Sequence, residues 1–315
     1  MKGILKYWLI LVALLLAQWV WSNAGVFNEN RNNRVKLTID SLAMEYDYMQ
    51  PDSGSIRKFN KRKGRKHRRE NWADSVYKSL SPDERLGQLF MVAVWSNKDK
   101  KHKEEIEKLI CDYNIGGLMF MQGGPYREAQ LCNNFQALTK TPLLVSMDAE
   151  WGLAMRLDSV TKFPKQMTLG AIQNDSLIFQ MGVQLAKECK RLGIHVNFAP
   201  VVDINSNPDN PVIGYRSFGE DKYNVARKGI AYMKGMQSMH VLSNAKHFPG
   251  HGDTDVDSHK ALPQIYHSRQ RMDSIELYPF AQLIKNGLTS IMVGHLNVPS
   301  LDTAKGSIAS LSSQV

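Results

Sequence analysis

Cysteine is scarce in this 315-residue chain. The three present, Cys111, Cys132 and Cys189, are too few and odd in number for a disulfide framework. Long apolar runs are also lacking: the stretch from Tyr7 to Trp21 is shorter than the run of about 18 apolar residues that a membrane span needs. No Cys follows that stretch, so lipid attachment there is not indicated. No Gly-x-Gly-x-x-Gly follows the first strand-like run, which removes the best sign of a dinucleotide site. Disorder of the whole chain is excluded by an apolar content of 43%.

Charge is plentiful but local. Lys and Arg number 40 against 30 Asp and Glu, a net +10 that first suggests an anionic polymer as partner. Residues 57–70 alone hold nine Lys/Arg against Glu70, residues 1–24 add Lys2 and Lys6, and the 277 residues outside these two segments sum to zero. Phe59 is the only aromatic residue in the basic cluster, which argues against nucleic-acid binding by base stacking. Lys2 and Lys6, the apolar stretch and Ser22-Asn23-Ala24 together read as a secretory signal over residues 1–24, so the protein is expected to be exported to the periplasm or beyond. The alternative, an uncleaved anchor, is disfavoured by the length of the run. Residues 25–71 lack an apolar period and read as a disordered basic linker. A weak contact of residues 57–70 with an anionic surface is the sharper alternative, and the export signal is the only membrane link expected.

From residue 72 onward, short apolar runs alternate with helical stripes. Strand-like runs cover 88–94, 117–121, 143–148, 196–203, 241–247 and 290–295; between them fall Ile106/Leu109/Ile110, Leu177/Met181/Leu185/Cys189/Leu192 closed by Gly193, and Ala226/Ile230/Met233. Strand followed by helix, repeated six times, predicts an α/β fold with a parallel sheet. Several runs end in polar residues, Asp148, Asp203, Lys246-His247 and His295. A (β/α)8 TIM-type barrel gathers such ends around one mouth, whereas an open doubly wound sheet uses mainly its switch point, so the barrel is favoured.

The densest chemistry is KHFPGHGDTDVDSH, residues 246–259. Asp253, Asp255 and Asp257 have the spacing of a calcium loop, but Ser258 and Gln264 stand where its Gly and closing Glu belong. His247 and His251 have the spacing of a zinc helix, yet Pro249 and two glycines oppose a helix there. Acid/base chemistry suits the loop better. Asp257 sits two residues before His259, close enough for a turn to set the carboxylate on one imidazole nitrogen and leave the other for a proton transfer.

This motif resembles the signature of family 3 glycoside hydrolases, in the β-N-acetylglucosaminidase branch that uses an Asp-His dyad. MDAEWGLAMR (147–156), FAPVVDIN (198–205), IGYRSFGED (213–221), ELYPF (276–280) and MVGHLNVPSLD (292–302) follow in the family's order. The resemblance implies a carbohydrate substrate with terminal N-acetylglucosamine, such as peptidoglycan pieces, and no cofactor. It assigns His259 as general acid and then base with Asp257 behind it, Asp148 as the carboxylate on sugar hydroxyls, and Arg156, Arg216, Lys246 and His247 as sugar contacts. From the residues alone, Arg216 has Glu220 or Asp221 as alternative partners, Lys246 has the option of a salt bridge at the barrel mouth, and Trp151 marks a departure from the family's DQEGG-type stretch. The resemblance also implies a retaining mechanism whose nucleophilic Asp follows the seventh strand. Asp302 falls in a loop and does not suit that role. About six of eight β/α units are counted, so residues 72–315 read as the N-terminal part of a barrel whose nucleophile lies beyond Val315 and which alone is expected to be inactive. A non-catalytic amino-sugar-binding protein is the rival reading.

Overall fold

A computed structural model describes residues 71–255 and 261–315. The expected signal, the basic segment apart from Asn71, and both Asp257 and His259 lie outside the described residues. Asn71 belongs to the folded part: its side chain accepts from the Asp74 amide and caps helix α1 (Trp72–Ser79). Helix α2 (Pro82–Gly87) opens with a capping box made by Ser81 and Glu84. There follow β1 (Met91–Trp95), α3 (Lys100–Tyr113), β2 (Gly117–Gln122), α4 (Pro125–Gln136), β3 (Leu144–Met147), α5 (Gln166–Gly170), α6 (Asp175–Arg191), β4 (Val196–Asn197), α7 (Lys222–Ser238), β5 (Leu242–Phe248), α8 (Arg269–Ser274), α9 (Tyr278–Lys285) and β6 (Ser290–Val293).

The six strands are all parallel and neighbour one another in chain order. Such an order is that of a barrel, since a doubly wound sheet reverses direction at a switch point. The fold is thus α/β with TIM-type topology over six units. The barrel is not closed, because β1 and β6 do not pair.

All six strand-like runs of the sequence contain a strand. One is much shorter than its run, since of 196–203 only Val196–Asn197 pairs as β4. Pro200 has no N–H to give a ladder, and two buried carboxamides take over part of the pairing. Asn197 accepts from the Ala149 amide at 3.0 Å and donates to its carbonyl at 3.3 Å. Gln166 does the same for Val201, accepting at 3.2 Å and donating at 2.7 Å.

The helical stripes are also present, with one residue of slippage. Leu177 is exposed and Ile178 takes the core position beside Met181, Leu185 and Cys189. Gly193 follows the end of α6 with φ +76°. Helices α6 and α7 approach closely at Gly182 and Gly235, where a Cβ on Gly235 would lie 2.2 Å from the Phe179 carbonyl. The pair is tied further by Lys228 of α7, fully buried, whose Nζ lies 2.5 Å from Asp175 at the start of α6. None of the described helices is long and apolar enough to cross a membrane.

Candidate active site

Parallel strands deliver their carboxyl ends to one side of the sheet, and here β3, β4 and β5 bring charged residues to that side. Asp148 directly follows β3, Asp203 lies in the segment after β4, and Lys246 and His247 are on β5. All five sugar-contact residues expected from the sequence are joined in one network. Lys246 Nζ lies 2.7 Å from Asp148 Oδ1 and 2.8 Å from Glu150 Oε1. Arg156 binds the other oxygen of Asp148. Arg216 makes a bidentate pair with Glu150, at 2.9 Å and 2.7 Å, and its Nη2 lies 3.4 Å from His247 Nε2. His247 Nδ1 in turn lies 2.7 Å from Asp203 Oδ2, and the His251 amide donates to Asp203 Oδ1 at 2.7 Å.

The partner of Arg216 is therefore Glu150, and not Glu220 or Asp221; Asp221 instead caps α7 by accepting from the Tyr223 amide. Lys246 does form a salt bridge at the strand ends, and it serves two carboxylates at once.

Two members, Glu150 and Asp203, were not assigned to the site from sequence. Both had a signal: Asp203 closes an apolar run, and Glu150 stands two residues after Asp148, on the same side of an extended segment. Asp302 does not reach the network. It caps a local turn, accepting from the Ala304 amide at 3.0 Å and the Ser312 hydroxyl at 2.6 Å.

Burial sets the electrostatics. Glu150 and Lys246 are 0% and 2% exposed, and Asp148 and Asp203 are also buried. Burial opposes the charge on Asp148, but Lys246 and Arg156 outweigh it and hold the carboxyl well below the usual range. The same balance, with Lys246 and Arg216 as the cations, brings Glu150 to about 2. For His247 the balance tips the other way. Desolvation, helped by Arg216 and Lys246, outweighs the attraction of Asp203 and lowers the imidazole to about 4. His247 is therefore neutral near pH 7, with Nδ1–H donated to Asp203 and Nε2 accepting from Arg216. Asp148, Glu150 and Asp203 face Arg156, Arg216 and Lys246, three charges against three.

The loop from 250 to 255 is pressed against this network. A Cβ on Gly252 would sit 1.6 Å from the Ile204 carbonyl, so the second Gly of the HFPGHG stretch is required by backbone contact. His251 Nδ1 lies 2.7 Å from the Thr254 hydroxyl, and Asp253 pairs with His267 at 2.6 Å. Thus the chain leaves β5 fixed as far as Asp253, a few residues short of the dyad assigned from the sequence.

Comparison with known proteins fits this geometry. The family profile described as the glycosyl hydrolase family 3 N terminal domain matches residues 81–315. Beta-hexosaminidase A of Pseudoalteromonas piscicida is 40% identical over 215 residues, 64% of this chain and 36% of that protein. A family 3 beta-N-acetylglucosaminidase from Paenibacillus sp. superposes with a TM-score of 0.67 at 37% identity, over 72% of this chain and 44% of the other. NagZ from Neisseria gonorrhoeae, solved in complex with N-trifluoroacetyl-D-glucosamine, gives a TM-score of 0.61 at 29% identity, over 68% and 65% of the two chains. The chain spans less than two thirds of the length of each of these relatives. With the profile covering the whole strand-helix region and the network, the chain belongs to glycosyl hydrolase family 3, in the part that forms its N-terminal domain.

Proposed function

We propose that this chain binds a terminal β-linked N-acetylglucosamine at the strand-end network and contributes the acid/base half of its hydrolysis. The observation that carries this reading is the placement of Asp148. It is an ionised carboxylate at a strand end, held by Arg156 and Lys246 and surrounded by further donors. A fixed carboxylate flanked by two cations accepts from neighbouring sugar hydroxyls, while the cations donate to the same oxygens, which suits a polyol ring. The amino sugar is suggested by the relatives, one a beta-hexosaminidase and one solved with an N-acylated glucosamine.

In this reading the reaction has two steps. A carboxylate contributed by sequence after Val315 attacks the anomeric carbon, the glycosidic C–O bond breaks, and His259 gives its proton to the leaving oxygen. Water then attacks the glycosyl ester, losing its proton to His259, and the carboxylate is released. Asp257 steadies the imidazolium formed when His259 takes up that proton. Export of the protein and a cell-wall glycan as the source of the sugar belong to the same proposal.

Calorimetric titration with N-acetylglucosamine and with glucose tests the binding half. The wild-type chain is expected to prefer the amino sugar, and Asp148→Asn to lose it. Binding of neither sugar overturns the reading. The catalytic half is tested on a polypeptide that continues past Val315, assayed for release of an aryl N-acetylglucosaminide's leaving group. Binding without turnover in that polypeptide would favour the non-catalytic rival.

A further inference from the structure

Between β5 and α8 the chain makes an outgoing and a returning limb, and each limb is bound to a different neighbour. On the way out, the His251 amide donates to Asp203, while Asn210 Nδ2 donates to the His251 carbonyl at 2.9 Å and to the Thr254 hydroxyl at 3.2 Å. On the way back, the Ile265 amide donates to the Asn297 carbonyl and the Asn297 amide to the Pro263 carbonyl, both at 2.9 Å. The outgoing limb is thus tied to the segment after β4, and the returning limb to the segment after β6. A cavity of about 510 Å³ is lined by both limbs, by Asp253 and Asp255 from one and by Leu262, Gln264 and His267 from the other.

The limbs meet through two side chains 14 residues apart: His267 Nε2 lies 2.6 Å from Asp253 Oδ2. Arg271 of α8 stands behind this contact, its Nη2 3.8 Å from the same Asp253 oxygen and 3.1 Å from Glu276 Oε1. The Glu276 oxygen is in turn 4.0 Å from His267 Nε2, which closes a ring of two carboxylates and two basic side chains. Glu276 is buried and packs on the start of the outgoing limb, where a Cβ on Gly250 would lie 2.9 Å from its own Cβ.

We propose that His267 and Arg271 are positioning residues for the acid/base step: with Asp253 and Glu276 they tie together the two ends of the segment that carries Asp257 and His259. Joining the ends of a loop removes much of its conformational freedom, and a proton donor works only when held within hydrogen-bond reach of the leaving oxygen. Without the tie, the distance between the limbs is left to two separate anchors, one after β4 and one after β6. The Asp253 and His267 side chains keep 25% and 24% of their exposure, so the pair adds little to the stability of the fold while it constrains the loop. The inference rests on the reading of His259 as the acid/base residue, and it adds what places that residue.

The test is kinetic, on the polypeptide that continues past Val315, with His259→Ala as the reference. His267→Ala and Arg271→Met are expected to lower kcat/KM about tenfold for a glycoside with a poor leaving group and much less for an activated aryl glycoside. Affinity for N-acetylglucosamine and the melting temperature should stay as in the wild type. Asp253→Asn, which reaches the same contact from the other limb, should show the same pattern, and His267→Gln, whose amide still donates to Asp253, should recover most of the rate. If His259→Ala discriminates between the substrates and neither His267→Ala nor Arg271→Met does, the tie is overturned and the acid/base reading stands. Equal losses on both substrates, or losses that follow the melting temperature, also overturn it, because they mark a weakened fold. If His259→Ala itself does not discriminate, the acid/base reading fails and the positioning role fails with it.

Discussion

Asp203 holds His247 at two points. Both carboxylate oxygens lie 3.1 Å from the His247 amide, and Oδ2 lies 2.7 Å from the ring Nδ1. One buried acid thus fixes the backbone, the ring orientation and the tautomer of a residue on the neighbouring strand, a device common where an imidazole must present one particular nitrogen. The Asp203 carboxyl is kept below the usual range against its own burial by the donors from His247 and His251.

Asp203→Asn should therefore act through His247. The amide offers one acceptor in place of two and carries no charge, so urea unfolding is expected to show a loss of about 2–4 kcal/mol. Nitrogen-15 spectra of the His247 ring should show the Nδ1 proton no longer held. Unchanged stability together with an unchanged ring spectrum would contradict the role given to the pair.

Lys246 separates two buried carboxylates that would otherwise repel. Lys246→Met is expected to cost about 3 kcal/mol or more and to remove sugar binding, since Asp148 and Glu150 lose their common cation. Adding Glu150→Gln to that variant should cost less than the sum of the two single changes, because one of the stranded charges is gone. A strictly additive double-mutant cycle would show that the three groups are not coupled.

Acid should weaken the fold in two stages. His247 has its folded value lowered from 6.5 to about 4, so between those limits the unfolded chain binds a proton that the folded chain does not, and stability falls as pH drops. Glu150, lowered from 4.5 to about 2, adds a loss of the same sign in that lower window. Because Glu128 works the other way between about pH 8 and 4.5, the test uses Glu128→Gln: its denaturant midpoints should decline from pH 6.5 to pH 3, and a flat profile down to pH 4 would contradict the burial of His247.

Glu128 should act with the opposite sign. It lies in α4, is 0% exposed, and among the described residues neither carboxyl oxygen has a hydrogen-bond partner. Burial raises it from 4.5 to about 8, so the folded chain retains a proton that the unfolded chain has released, and stability falls as pH rises through that window. Glu128→Gln is expected to stabilise the protein by about 1–3 kcal/mol at pH 8 and hardly at all near pH 4. Equal effects at the two pH values would rule out a neutral Glu128.

The acid/base assignment has its own kinetic signature in a catalytically complete polypeptide. His259→Ala should slow glycosides with poor leaving groups far more than activated aryl glycosides, because only the former need a proton on the departing oxygen. Equal losses on both would remove His259 from that role.

Much of this architecture was legible in the sequence because it rests on periodicity. Apolar runs of five to eight residues alternating with helical stripes fix a parallel α/β order, and polar residues closing those runs mark the mouth of the sheet. Pairing was less legible. Arg216 has acids four and five residues away in the chain, and composition alone points to them, yet its partner is Glu150, which is 66 residues away. Only the fold brings those two loops together. The brevity of β4 also escaped the pattern, because 196–203 reads as one apolar strand although past Asn197 it makes only an isolated bridge to β5, from Val201 to Lys246, and gives the Val201 main-chain groups to the Gln166 side chain. The edge-to-face contact of Trp151 with Tyr215 depends on the same convergence of loops as the pair of Glu150 with Arg216.

The carboxamides of Asn197 and Gln166 give the molecule a weak point that hydropathy does not register. Each amide both receives from and gives to a main-chain group, and Asn197 also donates to the Tyr232 hydroxyl at 3.1 Å. Exchanging one NH2 for an oxygen, as hydrolysis of the amide does, would leave size and shape almost intact while aiming a carboxylate at a carbonyl. Asn197 ties the end of β4 to the segment after β3, and Gln166 holds the segment after β4, so a change of one heavy atom at either would be felt at the network. Chemical ageing at either of these buried amides would then disturb the strand-end network without any change in hydropathy.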